Sequence, residues 1–151
     1  MKKVWLLFAV VMAITLFLVV PVSFLISYWH SNQHSGIGIG ALLAQYLQLK
    51  RNPLIMPLLS CFPFLLLAGI IFFARRRGAR ERTCRNVALG GGSAIAFVML
   101  WANLEYWPNF LPGVPYPGFP HGLELVIAPL FFAPVAMALG AVAGWATGRQ
   151  R

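Results

Sequence analysis

Over most of this chain apolar residues neither alternate nor recur at helical intervals against a polar face. They run on for about twenty positions or more at a time, in four stretches near 4–29, 54–74, 87–107 and 123–147. A helix needs roughly 20 such residues to cross the ~30 Å hydrocarbon layer of a bilayer. The pattern therefore predicts an all-α, polytopic membrane protein, a four-transmembrane-helix bundle that occupies 1–151 as one integral membrane domain. The first stretch is too long for the apolar core of a signal peptide, and no small-x-small cleavage pattern precedes its end at Ser27, Tyr28, Trp29 and His30. It is expected to stay as an anchor, bent near Pro21.

The polar interruptions carry the orientation. Lys2 and Lys3, then Arg75, Arg76, Arg77, Arg80, Arg82 and Arg85, then Arg149 and Arg151 fall on one side of four crossings, and only Lys50 and Arg51 fall on the other. Lys and Arg in short loops resist translocation, so both termini and the arginine-rich loop over 75–86 are expected in the cytoplasm, at a bacterial inner membrane. The 60% apolar content, 10% charged content and mean hydropathy of +0.76 agree with that placement. The net charge of +9 needs no nucleic acid, because the basic residues sit beside membrane exits. The six arginines can also face anionic lipid head groups.

The outer loops differ in character. After a polar, glycine-rich start, Ile39, Leu42, Leu43, Tyr46 and Leu47 recur at helical spacing, with Gln45, Gln48, Lys50 and Arg51 mostly opposite. This predicts a short interfacial helix in the first outer loop. The second outer loop, 108–122, holds five prolines with Phe110, Tyr116 and Phe119. It reads as a stiff extended cap, able to fold over the bundle or to dock a partner.

Small residues mark where helices meet. Gly90, Gly91, Gly92, Ser93, Ala94 and Ala96 cluster at the inner end of the third stretch, and Ala136, Gly140, Gly144 and Gly148 recur every fourth position in the fourth. In lipid, helices associate through close backbone packing at such residues. The third and fourth helices are expected to touch at the cytoplasmic end. Bulk toward the outside, from Trp101, Tyr106, Trp107, Phe131 and Phe132, is expected to splay them into an outward cleft.

Candidate chemistry lies on the outer side. His30, His34 and His121 all fall there, with Glu105 and Glu124. His121 and Glu124, three apart at a helix start, share a face and can serve a divalent metal. A first-turn glutamate is also stabilised by the helix dipole alone, whereas Glu105 in a last turn is not. No histidine lies centrally in a stretch to hold haem, no Ser-His-Asp set converges, and Gly90 to Gly92 lack the lysine of a phosphate loop. Cys61 and Cys84 fall at depths too different for a disulfide. The expected function is non-catalytic and without cofactor, that of an accessory, assembly or protective subunit binding another membrane protein or a second copy. The alternative is handling of a small ligand or metal ion in the cleft near Glu105, His121 and Glu124.

Overall fold

A computed structural model describes residues 1–19, 22, 23, 25, 26, 29, 55–106 and 126–149. Among these residues every element is helical and no strand occurs. Helix α1 (Lys2–Ile14) runs on through a π-helical turn, Thr15–Val19. Helix α2 is Ile55–Arg76 and α3 is Glu81–Tyr106. A second π-helical turn, Ala128–Phe132, leads into α4 (Ala133–Arg149). All four helices are long and apolar enough to cross a membrane. The interfacial helix expected within 39–51 and the cap expected over 108–122 lie outside the described residues.

A proline follows each of the two widened turns in the sequence. A proline donates no hydrogen bond and its ring crowds the carbonyl four residues back. Pro21 follows the first π-turn in the sequence, and Pro134 follows the second. The carbonyl four residues before Pro134, that of Leu130, belongs to the second π-turn, where the wider coil gives the ring room. Pro63 is different, because α2 continues through it as α-helix with the ring buried. Polar side chains inside these segments are satisfied by their own helix. The hydroxyls of Thr15 and Ser23 donate to the carbonyls of Val11 and Val19 at 2.8 and 2.6 Å, and the Asn103 amide donates to the Met99 carbonyl at 2.8 Å.

The turn between α2 and α3 is set by one glycine. Gly78 adopts φ +82°, the left-handed region, and its N–H donates to the Arg75 carbonyl at 3.0 Å while that of Ala79 donates to Ala74 at 3.0 Å. This paired closure of the helix end satisfies two of the last carbonyls of α2. It lets the chain reverse within 77–80, so α2 and α3 form an antiparallel hairpin. Replacing Gly78 with Ala is expected to cost about 1 kcal/mol, the penalty of a Cβ in that region, with no loss of side-chain contact. Unfolding of the purified variant in mixed micelles measures it.

Sequence reading put a loop over 75–86, but α3 already begins at Glu81. Its 26 residues make a rod of about 39 Å, some 9 Å longer than the hydrocarbon layer requires. The surplus is the polar first turn and a half, stabilised by Glu81 at the positive end of the helix dipole. Cys84 consequently lies inside a helix and is buried, rather than standing in a loop; both cysteines are free.

Helix α3 forms the axis of the bundle. Half of its residues are buried, against about a fifth in α2 and α4 and a tenth in α1. The core joins Val4 of α1, Phe64, Leu67 and Ile71 of α2, Ile95, Val98 and Met99 of α3, and Met137 and Ala141 of α4.

Candidate functional site

Three consecutive glycines in the first half of α3 each admit a different helix. Successive residues of an α-helix point about 100° apart, so three of them sweep most of the circumference. A Cβ added to Gly90 would collide with the Gly140 carbonyl oxygen of α4. One on Gly91 would stand 2.6 Å from Leu67 Cδ1 of α2, and one on Gly92 2.8 Å from Val11 Cγ1 of α1.

The contact with α4 extends along a line. Gly140 faces Gly90 and Ala94, Gly144 faces the Asn86 carbonyl, and a Cβ on Gly148 would lie 2.9 Å from Thr83 Cα. Positions 83, 86, 90 and 94 of α3 thus meet 148, 144 and 140 of α4 in antiparallel order. Ala136 packs, partly buried, against the core. At the inner end the line closes with polar groups. The Asn86 amide donates to Thr147 Oγ1 at 3.4 Å, and that hydroxyl donates to the Gly144 carbonyl at 3.0 Å.

Farther out, Trp101 of α3 meets Phe132 edge to face, with ring centroids 6.0 Å apart. Both rings are also exposed. Glu105 is exposed in the last turn of α3, flanked by buried Asn103 and Tyr106. His30, His34, His121 and Glu124 lie outside the described residues. No group of three His, Cys, Asp or Glu side chains comes together among the described residues.

No protein-family model, curated protein or solved structure matches this chain. Its own geometry therefore carries the functional argument.

That geometry gathers charge at one end. Lys2 and Lys3 head α1, Arg75 and Arg76 end α2, Arg77 and Arg80 lie in the connector, and Arg82 and Arg85 stand on the first turns of α3, all exposed. The contact of Gly148 with Thr83 brings the end of α4, at Arg149, to the same place. Among the described residues the acid there is Glu81, which meets the Met1 amino group at 2.8 Å. Arg75 Nη1 donates to the Ala79 carbonyl at 3.0 Å, and the Arg76 guanidinium lies 4.7 Å from the centre of the Phe72 ring.

Two features escaped the sequence reading. Asn86 and Thr147 extend the glycine line with a hydrogen bond, and the four-residue step from Asn86 to Gly90 was the available signal. Gly69 of α2 was also missed. Nothing lies within 4 Å of where its Cβ would stand, although its spacing from Phe72, Phe73 and Arg76 was legible as one helical face.

Proposed function

We propose that this chain crosses a bacterial inner membrane four times with both termini in the cytoplasm. In this reading it acts without catalysis of its own, as an accessory, assembly or protective subunit that binds another membrane component. The observation that carries the reading is an inside-out distribution of bulk. Gly and Ala build the α3–α4 contact, while Phe17, Leu65, Phe73, Phe97, Leu139 and other large apolar side chains on all four helices face outward, several more than 60% exposed. A water-soluble domain rarely leaves so continuous an apolar surface, whereas hydrocarbon solvates it without cost. The basic end supplies the orientation, since clustered Lys and Arg stay cytoplasmic.

Helix α1 supports the binding role. It touches the bundle along one side only, through Val4, Phe8 and Val11, and presents Leu6, Val10, Ile14, Phe17 and Leu18 outward. A helix with so little internal contact is held in part by its surroundings, and a neighbouring membrane helix fits that apolar side.

Two measurements test this. With Cys61 and Cys84 changed to Ala, a cysteine at position 80 should react only from the cytoplasmic side, and labelling from outside refutes the orientation. Tagged protein drawn from its native membrane in mild detergent should retain one membrane polypeptide near equimolar ratio. Recovery alone with a stoichiometric metal ion would instead favour ligand handling at the outer acids and histidines.

A further inference from the structure

We infer that the outward face of α2 is a binding site for one anionic phospholipid of the cytoplasmic leaflet, with a chain laid across Gly69 and the phosphate held at Arg76 and Arg77. The inference rests on the membrane-spanning reading above.

Helical spacing places Phe62, Leu65, Leu66, Gly69, Phe72, Phe73 and Arg76 on one face, opposite the buried Phe64, Leu67 and Ile71. Every large apolar member of that face is exposed, and the space over Gly69 is open. The face is therefore a strip of bulky side chains with a notch in its middle. Phe72 and Phe73 form its upper edge, their rings meeting edge to face with centroids 5.8 Å apart. Arg76 stacks on Phe72, which holds the guanidinium at the top of the strip, beside exposed Arg77.

The dimensions and charge select the occupant. Leu65 to Arg76 is eleven residues, or about 16 Å of helix, close to the roughly 15 Å depth of one leaflet. An acyl chain following the strip from Leu65 over Gly69 thus brings its phosphate to the level of Arg76. A planar guanidinium donates two parallel hydrogen bonds to a phosphate, whose negative charge a zwitterionic lipid partly offsets with its own ammonium. The excess of cations at this end, opposed among the described residues by Glu81, favours a head group with net negative charge.

The test uses the purified full chain in mild detergent, titrated with palmitoyl-oleoyl phosphatidylglycerol or with phosphatidylcholine of the same chains, and counts bound lipids by native mass spectrometry. One phosphatidylglycerol should be retained in preference to phosphatidylcholine, and Arg76→Gln should reduce that preference about five-fold. Lys2→Gln removes an equal charge from α1, which meets α2 from its buried side through Phe8 and Phe64, and should change nothing. Gly69→Leu fills the open notch and should reduce retention of both lipids with helicity intact. Excess inorganic phosphate should leave the lipid bound. Equal retention of the two lipids, equal effects of R76Q and K2Q, no effect of G69L, displacement by phosphate alone, or a second polypeptide in place of the lipid each overturns the assignment. If the wild-type chain is released from membranes by alkaline carbonate, the membrane reading itself fails, which is a separate result.

Discussion

One methyl group at position 90 is expected to destabilise the bundle by about 1–3 kcal/mol, the usual cost of overpacking. In Gly90→Ala the new Cβ points at the Gly140 carbonyl oxygen, which belongs to backbone and has no rotamer by which to withdraw. Ala gains about 1 kcal/mol over Gly in helix propensity, so the two effects oppose each other. The clash wins because relief requires the whole of α4 to move outward, losing contact at Gly144 and Gly148 as well. Gly140→Leu should cost more. Gly69→Ala separates the terms, since the same propensity gain meets open space there and should leave stability equal or higher. Unfolding midpoints in mixed micelles compare the three, and a Gly90→Ala protein as stable as Gly69→Ala would refute backbone contact between α3 and α4.

Leu67→Ala is expected to cost about 1–3 kcal/mol, and Leu65→Ala close to nothing. The two leucines are two positions apart on α2, but Leu67 is fully buried and seats against Gly91, while Leu65 is 70% exposed. In water, truncating Leu67 would also forfeit transfer from solvent. In a micelle both leucines leave one apolar medium for another, so only the cavity and the lost contacts remain. The difference between the variants therefore isolates packing. Equal losses would mean that the outward face of α2 is covered.

The sequence disclosed the four helices because each apolar run is long enough to outweigh local propensity, including Pro63 inside α2. It disclosed less about ends. Apolar content stops near Val87, whereas α3 starts at Glu81, because a helix continues past the apolar segment where an acid in its first turn meets the positive end of the dipole. The glycines were visible as a small-residue patch, but their division among three neighbours was not. That division depends on which helix stands at each 100° step, and composition carries no such direction. Of the outer acids and histidines, Glu105 alone lies among the described residues, in a last turn that the apolar pattern had indicated.

The order in which these contacts become available has a consequence for synthesis. Among the described residues α1 and α2 meet through little beyond the ring contact of Phe8 with Phe64; α1 seats mainly on α3, and α2 is shared between α3 and the segment 128–149. On the membrane-spanning reading, those two helices have little to grip on one another during synthesis and are expected to seat only once residues 90–92 emerge. A nascent chain stalled before that point would present two solitary helices to quality-control proteases, whereas one stalled after it already owns a three-helix platform for the last.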